Sequence, residues 1–170
     1  GVQTCALPIS HFTIPISVTN IHSFAFMHTG LENISIPDNV RAIGAGAFMR
    51  CKALTSVQFS TNIEHIKKYA FIECMKLTRV VFPPSNVYMH IHYGAFKGCE
   101  QLHTVDFLGK FATVDAFSFA YCNSLAVVSF PDDHANFKHL HKNTFVGCTS
   151  LCNIQQIPLY IIYRMLINNE

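Results

Sequence analysis

One phrase recurs six times along this chain and leaves few folds open to it. In its full form it reads Ala47-Phe48-x-x-Cys51-x-x-Leu54-x-x-Val57-x-Phe59 and Ala70-Phe71-x-x-Cys74-x-x-Leu77-x-x-Val80-x-Phe82-Pro83. It returns as Ala95-Phe96-x-x-Cys99-x-x-Leu102-x-x-Val105-x-Phe107 and Ser118-Phe119-x-x-Cys122-x-x-Leu125-x-x-Val128-x-Phe130-Pro131. Thr144-Phe145-x-x-Cys148-x-x-Leu151-x-x-Ile154 is a weaker copy, and Ala25-Phe26 leading to Leu31-x-x-Ile34-x-Ile36-Pro37 is one residue shorter, with Thr29 in the Cys place. The Phe anchors are separated by 22, 23, 25, 23 and 26 residues. A fixed period of this size marks a solenoid, in which one small unit stacks on copies of itself.

With 50% hydrophobic and 13% charged residues over 170 positions, the chain has material for a packed core and too little charge for disorder. A formal net charge of +2 gives no electrostatic case for nucleic acid or an anionic membrane. No apolar run reaches the roughly 20 residues that cross a bilayer; the richest, Ile157 to Ile167, is shorter and contains Arg164. Residues 1–9, Gly1-Val2-Gln3-Thr4-Cys5-Ala6-Leu7-Pro8-Ile9, match the translation of a common short-read sequencing adapter and are set aside from fold reasoning. The missing initiator Met then carries no information, and the chain is expected to be a piece of a longer array.

Five and eight positions before each anchor lies a second apolar pair: Val18/Ile21, Val40/Ile43, Ile63/Ile66, Tyr88/Ile91, Phe111/Val114 and Phe137/Leu140. Each repeat therefore offers two extended ladders and one compact turn about Phe. The Leu-x-x-Val-x-Phe segment alternates as a short strand should, and stacked copies would pair in parallel. Pro37, Pro83 and Pro131 end three of these strands by removing a backbone donor. The longer steps are explained by extra residues around Pro84-Ser85-Asn86 and from Asp132 to Asn136, both at the same corner of the coil. Leu159, Ile162, Tyr163, Leu166 and Ile167 have helical spacing, so residues 159–170 read either as a capping helix over the last coil or as a degraded further repeat or misread sequence.

The stretch Ile36-Pro37-x-x-Val40-x-x-Ile43-Gly44-x-x-Ala47-Phe48-x-x-Cys51-x-x-Leu54 resembles the BspA-like leucine-rich repeat family, and the resemblance continues in phase over residues 10–158. Thr29 in place of Cys, the Gln155-Gln156-Ile157 ending, and the loss of Gly after the second ladder in most copies depart from the family pattern. The resemblance implies a leucine-rich repeat solenoid of about six repeats, mostly β and irregular, with short parallel strands, one per repeat, and compact turns. It also implies surface or secreted adhesion proteins of microbes and protists, some of which bind extracellular matrix.

Five cysteines, Cys51, Cys74, Cys99, Cys122 and Cys148, share one repeat position and should form a column. Their spacing is not that of a zinc site, and side chains in a column point the same way and not at one another, which disfavours disulfides. They read as small buried hydrophobes and do not reveal the redox compartment. Histidines cluster on the second ladder, in His65-Ile66-Lys67-Lys68, His90-Ile91-His92 and His139-Leu140-His141-Lys142. With Ile66, Ile91 and Leu140 inward, His65 and His90 share one outward stripe, while His92 falls between Lys67 and Asp115 on the parallel one. The pattern reads as a solvated, mildly basic face with no complete metal site and no cofactor; His65, His90 and His92 are the residues that would hold an ion.

On the strands, the outward positions are Asn33 and Ser35, Ser56 and Gln58, Arg79 and Val81, Thr104 and Asp106, Val127 and Ser129. They are mostly small, neutral and polar, and Arg79 and Asp106 would meet diagonally. No Ser/His/Asp set, carboxylate pair or phosphate loop recurs in phase, so nothing supports catalysis. The expected function is a non-catalytic module binding protein or glycan through this extended face, with a structural spacer as the alternative.

Overall fold

The computed structural model describes residues 10–131 and 140–155. Residues 1–9, Asp132–Asn136, Phe137, His139 and the capping-helix segment 159–170 lie outside the described residues.

Among the described residues the chain winds as a parallel β-solenoid without helix, built on two walls of short strands. One wall, sheet A, consists of β1 (Asn20–Ile21), β3 (Ala42–Ile43), β5 (His65–Ile66), β7 (Met89–Ile91) and β9 (Phe111–Val114), paired in that order. The other, sheet B, comprises β2 (Asn33–Ser35), β4 (Ser56–Gln58), β6 (Arg79–Phe82), β8 (Thr104–Phe107), β10 (Val127–Ser129) and β11 (Asn153–Gln155). Its ladder is formally split into β2–β4 and β6–β8–β10–β11, but β4 lies beside β6 and Thr78 N bonds Thr55 O at 3.4 Å across the break. Each full repeat thus contributes two strands and not one. The second ladder forms its own sheet because its short apolar pairs stack in register: Ile21, Ile43, Ile66 and Ile91 are successive partners.

The Phe turn forms a third wall, held by backbone bonds that run from coil to coil. Each anchor amide donates to the residue preceding the next anchor: Phe48 to Ala70 O, Phe71 to Ala95 O and Phe96 to Ser118 O, all at 2.7 Å. Two residues either side of the anchor the chain turns left-handed, at Phe24, Gly46, Tyr69, Gly94 and Phe117 before it, and at His28, Arg50, Glu73, Gly98, Tyr121 and Gly147 after it. That conformation costs an L-residue roughly 1–2 kcal/mol. In compensation the amides at these positions are directed along the solenoid axis: Tyr69 N meets Tyr93 O at 3.1 Å and Glu73 N meets Lys97 O at 2.9 Å.

Inside the coil the anchors form a continuous stack. Phe26, Phe48, Phe71, Phe96 and Phe119 follow one another with centroids 4.9–5.1 Å apart and planes within 6° of parallel, and Phe145 adds a looser step of 5.7 Å. A second column, Phe59, Phe82, Phe107 and Phe130, meets the first edge-on, as at Phe82–Phe96 (71°) and Phe107–Phe119 (83°). Ala47, Ala70 and Ala95 are fully buried beside the anchors, so larger residues there need a reason. Ser118 and Thr144 fit because each hydroxyl donates at 2.6 Å to a carbonyl three residues back, at Asp115 and His141.

Phe96 is fully buried between both columns. Phe96→Ala is expected to cost about 3–5 kcal/mol, read as a lowered urea midpoint, whereas Gln58→Ala on the exposed face should stay within about 0.5 kcal/mol. The turn gives a second expectation. A Cβ on Gly94, whose φ is +62°, would fall 2.7 Å from the Tyr69 ring. Gly94→Ala should lose about 1–2 kcal/mol, with part of that loss removed in a Tyr69→Ala background, as a double-mutant cycle would show.

Candidate functional site

The outward face of sheet B is built by strand alternation. In β2 and β4 the central residue is buried and its neighbours are exposed, which sends Asn33, Ser35, Ser56 and Gln58 outward. In β6, β8 and β10 the same alternation buries Val80, Val105 and Val128 and leaves Arg79, Val81, Thr104, Asp106, Val127 and Ser129 on the surface. Parallel register sets these into two rows. Arg79, Thr104 and Val127 are successive partners, as are Val81, Asp106 and Ser129.

Contacts across the rows fix several side chains. Arg79 reaches diagonally to Asp106, with Nη2 at 2.9 Å and Nε at 3.1 Å from the same carboxylate oxygen. The Arg79 side chain is 66% exposed, so the pair orients more than it stabilises. Ser35 Oγ donates to Gln58 Oε1 at 3.2 Å. At the strand ends Ser35, Gln58 and Val81 open onto a shallow cleft of about 530 Å³, whose far side carries Asp38 and Thr61. The Asp38 carboxylate accepts from both the amide and the hydroxyl of Thr61. A neighbouring cleft of about 460 Å³ is lined by Pro84, Ser85, Asn86, Lys110 and Pro131, so the residues following Pro83 and the proline ending β10 share one corner.

On sheet A, His65 and His90 are direct cross-strand partners and Thr113 follows His90 in the same row. His92, placed on the parallel stripe by alternation, leans back so that its Nε2 lies 3.4 Å from His65 Nδ1. The three rings lie with centroids 5.0, 5.6 and 6.2 Å apart. His90 Nδ1 is 3.2 Å from Thr113 Oγ1, and His92 Nδ1 is 3.6 Å from Asp115 Oδ2. Burial, then the neighbouring imidazoles, hold His65 below the ordinary histidine pKa; burial does the same for His92 against the opposing pull of Asp115. Both rings therefore sit in the neutral form that has a free lone pair at neutral pH.

The cysteine column has a polar role that spacing alone does not give. Each thiol lies against the carbonyl of the anchor one coil earlier: Cys51 to Phe26 O at 2.9 Å, Cys74 to Phe48 O at 3.1 Å, Cys99 to Phe71 O at 3.2 Å, Cys122 to Phe96 O at 3.3 Å and Cys148 to Phe119 O at 3.0 Å. Thr29 replaces Cys in the first full coil by donating to its own anchor carbonyl, Phe26 O, at 2.9 Å. Among the described residues all cysteines are unpaired.

Several surface features carried no signal in the sequence. The ion pairs Arg41–Glu64 and Arg50–Glu73 join equivalent positions of adjacent coils. Exposed Tyr93 and half-buried Phe117 pack at 5.5 Å along the turn wall, and Tyr93 meets Tyr69 edge-on. Their common cause is the repeat length, which brings residues some 23 positions apart side by side.

The chain matches the BspA type leucine-rich repeat region in six copies, over residues 4–125 and 85–163. In structure it is similar to a leucine-rich repeat protein of Treponema pallidum, with 25% identity and a TM-score of 0.66, over 83% of this chain and 64% of that one. It is similar in fold to a leucine-rich cell surface protein of Faecalibacterium prausnitzii (24% identity, TM-score 0.59, 94% of this chain and 35% of that one). The same holds for a pneumococcal vaccine antigen (15% identity, TM-score 0.73, 94% and 39%). The chain thus spans less than two thirds of the length of these structures. No curated protein sequence matches it.

Burial sets an expected labelling pattern for the thiols. It raises Cys51 and Cys74, pushes Cys99 up to about 12, and raises Cys122 well above the ordinary value, whereas Cys152 is exposed. Iodoacetamide on the native protein, mapped by mass spectrometry, should modify Cys152 and spare Cys51, Cys74, Cys99 and Cys122 until the chain is unfolded.

Proposed function

The chain belongs to the BspA-type leucine-rich repeat family, and we propose that it works as a non-catalytic binding scaffold that presents the outer face of sheet B to a protein or glycan ligand. The observation that carries this reading is the two-row strip of outward side chains. Packing constrains every inward position of these strands, yet leaves Asn33, Ser35, Ser56, Gln58, Thr104 and Ser129 free to vary as hydrogen-bonding groups. The rows run parallel to the solenoid axis, so a linear ligand would meet equivalent positions once per coil.

Charge and shape bear on what such a ligand is. Arg79 and Asp106 already neutralise one another, which leaves the strip close to neutral and suited to uncharged polar groups. The cleft at the strand ends gives a protruding side chain or sugar a place to enter, beside the fixed Asp38 carboxylate. Such open surfaces suit recognition more than enclosed chemistry. A surface or secreted location is part of the proposal, supported by the fold shared with a leucine-rich cell surface protein. Buried thiols that are already hydrogen-bonded would persist outside the cell as well as inside it.

Arrays of extracellular-matrix proteins and of glycans, probed with the full chain, test this. Saturable binding is expected, weakened about tenfold or more by the triple change Gln58→Ala, Arg79→Ala, Asp106→Ala, since contacts at the centre of an interface dominate its affinity. Lys97→Ala on the turn wall should leave it unchanged. The absence of any saturable ligand would instead favour a spacer role.

A further inference from the structure

We propose that the outer face of sheet A carries a binding site for a zinc-class divalent transition metal, with His65 Nδ1 and His92 Nε2 as its first two ligands and His90 Nε2 as the third. The site is separate from the sheet B strip and does not depend on what that strip binds.

The first observation is a distance. Nitrogens held about 2.0–2.1 Å from a tetrahedral zinc stand roughly 3.3–3.4 Å from one another. His65 Nδ1 and His92 Nε2 are 3.4 Å apart, although alternation alone would send His92 to a different stripe. As an N–H···N hydrogen bond this separation is long, beyond the usual range of about 2.7–3.2 Å. As the chord between two metal ligands it needs no adjustment.

The second observation is the set of outer partners. A metal-bound histidine commonly has its other ring nitrogen engaged by an oxygen, which fixes the tautomer and aims the lone pair. His92 Nδ1 faces the Asp115 carboxylate at 3.6 Å, which directs a proton there and leaves Nε2 for the metal. His90 Nδ1 is engaged by Thr113 Oγ1 at 3.2 Å, which likewise leaves its Nε2 available. Both partners come from the next coil, so repeat stacking supplies the groups that orient the imidazoles as well as the imidazoles themselves.

Among the described residues no three candidate ligands already converge on one point, so His90 must turn about its side-chain torsions; its present contact with Thr113 sets the tautomer but does not yet aim Nε2 at the site. The movement is short: its ring centroid is 5.0 Å from that of His65 and 6.2 Å from that of His92. A water would take the fourth position. Imidazole donors suit zinc or copper(II) and not calcium or magnesium, which require oxygen cages. Lys67 opposes a cation at this face, and Asp115 and Glu64 offset it.

Calorimetric titration of the full chain, free of any histidine tag, with zinc chloride tests the site. One zinc per chain is expected. His65→Ala and His92→Ala should each weaken binding by 100-fold or more, and Asp115→Asn by about 10- to 100-fold through lost orientation. Cys152→Ser should have no effect. With cobalt(II) in place of zinc, the spectrum should show tetrahedral bands without a sulfur charge-transfer band, a readout that does not depend on any variant folding. No saturable heat in the wild type would overturn the proposal. So would undiminished binding in both His65→Ala and His92→Ala, or a thiolate band in the cobalt spectrum. Unchanged affinity in His90→Ala would remove His90 from the ligand set.

Discussion

The rest of the structure depends on the match between two spacings. Parallel strands sit about 4.8 Å apart, and the anchor rings stack at 4.9–5.1 Å. A coil cannot bury its own Phe; it can only place that ring against the next one. Near-parallel rings with centroids this far apart are offset, one of the two arrangements that aromatic pairs prefer, and the rise of the coil sets that spacing. Edge-on contacts from the second Phe column add the other preferred arrangement, as at Phe82–Phe96 and Phe107–Phe119. The stack runs from coil to coil without a break from Phe26 to Phe119, and the extra residues after Pro83 sit at a corner outside it.

That dependence explains how much of the molecule was legible in the sequence. Phe48, Cys51, Leu54 and Val57 repeat because every coil fills the same core, and the structure buries all four. The Arg79–Asp106 pair was legible too, because parallel register makes a diagonal contact a matter of counting. The second sheet was harder to see. Its strands β1, β3 and β5 hold two residues each, too few for alternation to declare itself. Left-handed residues such as Tyr69 and Phe117 gave no local sign, since only Gly46 and Gly94 at the equivalent position advertise such a backbone. The approach of His92 to His65 depends on ring rotation, which register does not specify.

Stacking also divides the surface by purpose. The turn wall is occupied by inter-coil amide bonds, anchor rings and thiols, all committed to holding one coil on the next. The outer faces of the two sheets carry no such burden. Sheet B offers small polar groups in rows beside a cleft, and sheet A gathers three imidazoles, two of them with an oxygen partner. A repeat fold with a stringent interior thereby keeps exteriors free of that duty, and those exteriors are where the proposed recognition would take place.

Native-state hydrogen exchange, resolved by residue, tests most directly whether the anchor stack holds the solenoid together. The amides of Phe48, Phe71 and Phe96, each bonded at 2.7 Å to the next coil, should be the last to exchange, through the rarest opening of the molecule. The amides of Met49, Ile72 and Lys97, bonded only within their own turns at 3.0–3.2 Å, should exchange sooner. If instead the anchor amides exchange as early as these turn amides while the strands stay protected, the sheets hold the coils together and the Phe stack merely fills the space between them.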